Sequence, residues 1–152
     1  MDPHALRTLE FDKILAKLAR CTSFSAGREL ALELTPSTDY GEVVRRQRET
    51  AEARRLIAMK PRTGLGGAHD VRPLGEKAER GGLLDPDNLL QIASTLECAR
   101  ELKTSITRLD EELPLLAEVA DGIEPLVRLV EDINRCINQR GEVTDQASPA
   151  LG

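Results

Sequence analysis

Residues 85–113 read DPDNLLQIASTLECARELKTSITRLDEEL, and the spacing of their apolar positions decides the fold. Asp85 followed by Pro86 is a helix start, with proline at the first helical position, where its missing N–H removes no bond. From there Leu89, Ile92, Leu96 and Ala99 step by three and four; after one extra three-residue step, Leu102, Ile106, Leu109 and Leu113 do so again. Such steps keep one side of a helix apolar, so the stretch predicts a long helix with a coiled-coil-like seam and one phase slip. A seam of this kind needs other helices lying along it, as in a bundle.

Working outward, Pro114 restarts a short helix to Ala120. Pro125 opens another, whose Leu126, Leu129, Val130, Ile133 and Ile137 share a side and which Gly141 ends. Glu142-Val143-Thr144 is a candidate short β element. Ser148-Pro149 resembles the cap and first residue of a further helix, so the chain reads as cut inside an element. On the other side, Gly81-Gly82 closes a brief helix over 71–80. Asp39, with Glu42 three residues on, resembles a capping box and opens a helix that runs to Met59 before Pro61. Ser23 or Ser25 caps a short helix over 27–34, stopped by Thr35-Pro36-Ser37. Thr8 is a candidate N-cap for a first helix over 9–20, where Leu9, Phe11, Ile14, Leu15 and Leu18 recur at helical spacing. The expected fold is all-α: a helical bundle with one long coiled-coil-like helix and at most a short β element at 142–144.

A chain of 152 residues fits one domain and buries roughly 70% of the surface its unfolded form exposes. Its core must be aliphatic, because Phe11, Phe24 and Tyr40 are the aromatic residues and there is no Trp. The net charge of -5 excludes a uniformly basic nucleic-acid binder, though not a local patch. No stretch approaches the ~18 apolar residues of a membrane span, and the N-terminus lacks a signal-peptide apolar block, which predicts a cytoplasmic protein with no membrane partner. Cys21, Cys98 and Cys136 are odd in number and far apart, which suggests three small apolar residues and neither a disulfide framework nor a CxxC site.

Catalytic constellations are not found. Gly64-Leu65-Gly66-Gly67 lacks the Lys-Ser/Thr pair of a phosphate loop and reads as a turn. His4 and His69 each stand alone, without a second ligand at metal-binding spacing. No catalytic, cofactor-binding or metal residue is predicted. The strongest charge feature lies between residues 45 and 62, where seven basic residues meet Glu49 and Glu52, giving +5 and leaving -10 for the remainder. Arg45, Arg46, Arg48, Arg55, Lys60 and Arg62 are therefore the candidates for contact with a phosphate backbone. At about 100° per residue from Val43, Arg48 and Arg55 fall at about 120–140°, Arg45 at about 200°, Arg46 at about 300° and Arg54 at about 20°. These positions form no single stripe. The competing reading is a solvated helix with pairs of the Glu42–Arg46 type, in which Arg54, among Val43, Thr50 and Ile57, reaches a buried or interfacial carboxylate.

Several blocks, taken in order, resemble a known family. Thr8-Leu9-Glu10-Phe11-Asp12-Lys13-Ile14-Leu15, then Leu30-Ala31-Leu32-Glu33-Leu34 with Thr35-Pro36-Ser37, then Gly64-Leu65-Gly66-Gly67 before Asp70-Val71-Arg72-Pro73 resemble the start of the MutS-II endonucleases. Leu115-Leu116-Ala117 with Asp121-Gly122, Arg135-Cys136-Ile137, Gly141-Glu142-Val143 and Ala147-Ser148-Pro149-Ala150-Leu151 continue the resemblance along nearly the whole chain. It implies that residues 1–147 are the helical N-terminal part of a MutS-like core domain and 148–152 the start of the next, lever, helix. It further implies a parent protein that dimerises, binds branched DNA, uses ATP and Mg, and carries a nuclease domain. Suppression of homologous recombination and, in some members, action on collided ribosomes come with it. None of the family's ATPase or nuclease motif residues has a counterpart here.

Two functional classes follow. One is a non-catalytic scaffold segment of that parent, its partners being the rest of the parent chain, the parent homodimer and, through the parent, DNA and the ribosome. The other is a free-standing helical adaptor that binds a partner helix along its apolar seam. A chain holding part of its own bundle is expected to leave Leu102, Ile106, Leu109, Leu129, Ile133 and Ile137 uncovered and to self-associate through such faces.

Overall fold

The computed structural model describes residues 3–61, 63–145 and 147. Among them the chain forms helices α1 (Pro3–Thr8), α2 (Phe11–Ala19), α3 (Ser25–Leu32), α4 (Tyr40–Met59), α5 (Arg72–Glu79), α6 (Pro86–Thr107), α7 (Pro114–Asp121) and α8 (Val127–Cys136), and no strand. The expected β element reduces to one antiparallel bridge between Ile137 and Val143. The helix start expected at Ser148-Pro149 lies outside the described residues.

The two polar starts form as their side chains dictate. Asp85 accepts from the Asn88 N–H at 2.8 Å at the head of α6, and Asp39 accepts from the Glu42 N–H at 2.7 Å at the head of α4. The box at α4 is relayed. Ser37 Oγ accepts from the Asp39 N–H at 3.1 Å and donates to Glu42, so the hydroxyl stands between the two halves of the expected reciprocal pair. Gly81, at φ 76°, ends α5 in the left-handed conformation that a side chain disfavours.

Three expectations are corrected. The first expected helix starts late: Thr8, expected as its N-cap, ends a separate helix α1, donating to the His4 carbonyl at 3.0 Å, and Glu10, at φ 50°, turns the chain into α2. Helix α3 begins at Ser25 behind Phe24, whose side chain has no acceptor to cap it, and the Ser25 hydroxyl, expected as a cap, donates to Asp70 instead. Helix α6 stops at Thr107, short of Leu113, and the last two seam residues enter the core from a turn in which the Leu109 N–H bonds Ile106 and the Leu113 N–H bonds Leu109, both at 2.8 Å.

The seam is covered from within the chain. Leu56 of α4, Ile106 of α6, Leu113 and Ala120 of α7 form the buried cluster, with Leu102, Leu109, Leu116, Ala117 and Ile123 packed on it. Helix α8 lies along α6 as well, burying Val130, Ile133 and Ile137. Leu102, Ile106, Leu109, Ile133 and Ile137 are thus not the uncovered rows expected of them; of that set Leu129 stays open, 44% exposed. Polar ties fix the packing: Lys103 Nζ donates to the carbonyls of Asp121 (3.2 Å) and Ile123 (2.9 Å), capping the end of α7, and Asn134 Nδ2 donates to Glu97 at 3.1 Å. The glycine turn is held on α6 by Ser94 Oγ donating to the Gly67 carbonyl at 2.8 Å and by the His69 N–H donating to Thr95 Oγ1 at 2.9 Å.

The N-terminal helices differ. Helix α1 packs on α2 and α2 on α3, yet Leu9, Ile14, Leu18 and Leu30 remain exposed, Leu30 at 69%. The accessible surface of the chain is 11147 Å², where a compact monomer of this length exposes about 7,600 Å². The excess marks a body whose apolar faces are only partly paired.

Candidate nucleic-acid interface

Helix α4 carries the basic stretch, and its neighbours sort the candidates. Its inward stripe holds Glu52 and Leu56, both buried, against α7. Arg45, beside that stripe, pairs through Nε with Glu49 at 3.0 Å and lies 3.6 Å from Glu118 of α7. Arg46 pairs with Glu42 and donates from Nη1 to the Thr35 carbonyl at 3.0 Å. Both guanidinium groups are therefore partly neutralised within the chain.

Arg48 and Arg55 are exposed and make no hydrogen bond or ion pair among the described residues. Two helical turns apart, about 10 Å along the axis, they flank the inward stripe on one side, as the helical angles predict. Arg54 is exposed on the opposite side and reaches no carboxylate among the described residues. Lys60 is the half-buried C-cap residue of α4, its N–H bonded to the Leu56 carbonyl at 2.8 Å. Arg62 lies outside the described residues. Of the six candidates the fold brings together one free pair. Segment 109–127 holds Asp110, Glu111, Glu112, Glu118, Asp121 and Glu124 and no base; its helix, α7, is the one packed on α4, so part of the positive field is answered inside the molecule.

Glu52 has a task that its sequence position concealed. It is 3% exposed and accepts the Leu116 N–H at 2.9 Å. Leu116 stands in the first turn of α7, whose N-cap, Leu113, has no side chain able to accept a hydrogen bond. A carboxylate on α4 therefore caps α7, satisfying an N–H and the positive end of the helix dipole together. Two signals point to it in retrospect: an acid one turn from Leu56 on the buried stripe, and a Pro-led helix without a Ser, Thr, Asp or Asn in front.

No group of three or more His, Cys, Asp or Glu side chains converges as a metal site would among the described residues. A cavity of about 610 Å³ opens between α6 and α8 over Leu90, Ala93, Glu97, Asn134 and Asn138. No helix among the described residues is long and apolar enough to cross a membrane.

The fold defines an all-α bundle segment with an open aliphatic surface. No family model matches the chain. It is 44% identical over 151 residues to the endonuclease MutS2 of Symbiobacterium thermophilum, covering 99% of this chain and 19% of that protein. It is 42% identical over 150 residues to endonuclease MutS2 of Halalkalibacterium halodurans (96% of this chain, 19% of that one), and 38% identical over 151 residues to that of Pelotomaculum thermopropionicum (99% and 19%). Over nearly its whole length the chain is therefore similar to a segment of the endonuclease MutS2 proteins. It spans about a fifth of the length of the curated relatives it matches.

Proposed function

We propose that this chain is a non-catalytic scaffold segment: residues 1–147 form the first part of a MutS-like core domain, and 148–152 begin the lever helix. The observation that carries the reading is the accessible surface of 11147 Å², which exceeds the compact expectation by several standard protein-protein faces of about 800 Å² each. The resemblance supplies the larger body: a dimeric, DNA-binding ATPase using ATP and Mg, with a nuclease domain, acting in suppression of recombination or on ribosomes. Within that body the α4–α6–α7–α8 bundle passes motion between the ATPase and the nucleic acid. The seam that a free-standing adaptor needs is covered from within the chain by Leu56 of α4 and Ala120 of α7, which favours the scaffold reading over the adaptor.

The isolated chain is expected to hydrolyse neither ATP nor nucleic acid, since phosphoryl chemistry needs positioned metal ions and a phosphate cradle. Protein-dependent hydrolysis that persists through further purification sinks the reading. Any nucleic-acid contact runs through Arg48 and Arg55, is indifferent to sequence and weakens with salt. Arg48→Glu with Arg55→Glu is expected to abolish binding to a DNA duplex at low salt; unchanged affinity in that double variant assigns the pair to solvation.

A further inference from the structure

The block Asp70-Val71-Arg72-Pro73 has no part in the reading above, yet it stands where two parts of the molecule meet. Helices α1, α2 and α3 pack on one another, and the substantial packing among the described helices outside that trio is α6 with α7, α6 with α8 and α4 with α7. The described ties from the trio to the rest are polar. Ser25 Oγ, in the first turn of α3, donates to Asp70 Oδ2 at 2.6 Å. Arg72 forks onto the same carboxylate, from Nε to Oδ1 at 2.8 Å and from Nη2 to Oδ2 at 2.6 Å, and Nη2 also reaches Glu29 Oε2 of α3 at 2.8 Å. Asp70 Oδ1 further accepts the Arg72 N–H at 3.3 Å. One carboxylate thus serves the starts of both α3 and α5, neither of which has a side-chain cap of its own.

We propose that the Ser25–Glu29–Asp70–Arg72 knot is a latch that holds α1–α3 as one arm in a single position on the body formed by α4, α6, α7 and α8, to which Gly67 and His69 tie the block, with the non-helical connection 33–39 as its pivot. The physical ground is the kind of contact. A planar guanidinium fork on a carboxylate is directional and fixes orientation as well as distance. Once open, its groups are rehydrated, and among the described helices no pair joining the arm to the rest packs on the scale of α2 with α3. Apolar packing within the arm is untouched by opening, so α1–α3 move as a unit about a few connecting residues, as hinged elements do. Hydrogen bonds from Arg72 and then Ser25 hold the Asp70 carboxyl well below the usual carboxylate range, so the knot stays charged at neutral pH.

The test uses the whole 152-residue chain. With Cys98→Ala, Cys136→Ala and Arg100→Cys, spin labels sit on exposed Cys21 of the arm and on exposed position 100 of α6. Pulsed dipolar spectroscopy is expected to give one narrow distance. Arg72→Ala loses that single distance for a broad or double distribution, while amide exchange in α2 and α3 stays as slow as before. Ser25→Ala with Glu29→Ala cuts the arm's side of the knot, leaves the Asp70–Arg72 fork in place and is expected to broaden the distance as well. An unchanged distance in both variants overturns the latch. So does broadening accompanied by lost protection in α3, which reduces Asp70 to a cap, or a distribution already broad in the unsubstituted chain.

Discussion

The bundle around α6 and the arm α1–α3 are built from the same materials, aliphatic helices with charged outer faces, yet one buries its leucines and the other displays them. Leu113 is 0% exposed and Leu30 69%. The difference lies in the number of partners. Helix α6 has α7 on one side and α8 on another, with α4 behind α7, whereas the substantial helix packing of the arm is α1 on α2 and α2 on α3. An amphipathic stripe states that a helix has something to bury; it does not state how many surfaces arrive to cover it.

The largest expected contrast breaks the two regions apart by mutation. Leu113→Ala removes a fully enclosed side chain and is expected to cost about 2–5 kcal/mol in urea unfolding, while Leu30→Ala changes stability by no more than about 0.5 kcal/mol. Ile106→Glu places a carboxylate in the buried cluster and is expected to unfold the bundle outright; a folded Ile106→Glu protein of unchanged stability restores the uncovered seam that the sequence predicts and the fold denies.

A smaller effect sharpens the account of how the bundle is joined. Glu52→Ala leaves the Leu116 N–H without its acceptor and is expected to cost about 1–3 kcal/mol. Glu52→Gln keeps an acceptor in place and costs less. Equal losses in the two variants, measured by chemical denaturation, mean that packing volume rather than the cap joins α4 to α7.

The smallest expected effect on stability is at the arm, where the readout is mass. Alone in solution the chain is expected to self-associate through the arm's exposed rows, since covering one Leu or Ile contributes roughly 1.5–3 kcal/mol. Ile14→Glu with Leu18→Glu, two positions one turn apart on α2, shifts the chain towards monomer in sedimentation at high micromolar concentration without altering its helicity. A strictly monomeric parent chain ends that reading of the arm.

Much of the local structure was legible from the residues alone. Asp39 and Asp85 start helices because a carboxylate one position before a helix accepts a backbone N–H at short range, and Gly81 ends one because it tolerates positive φ; both are decided within four residues. The turn at Glu10, and with it the separate helix α1, was hidden, because the apolar spacing runs on through Leu9 and Phe11 and a non-glycine left-handed turn leaves no mark on that pattern. The candidate arginines were all visible as charges. Which of them stay free was not, because Glu118 and the Thr35 carbonyl reach Arg45 and Arg46 only after folding.

The sequence by itself determined the class of the protein: aliphatic stripes at helical spacing, with few aromatics and no strand-forming runs, admit helices packed on helices and little else. Only the tertiary structure decided that the long seam is closed, that Glu52 caps a helix 64 residues away, and that Asp70 and Arg72 tie the arm to the body. Spacing along a chain reports which side of an element is apolar. Contact between elements distant in sequence depends on how their sides are finally aligned, and that alignment is a property of the packed whole.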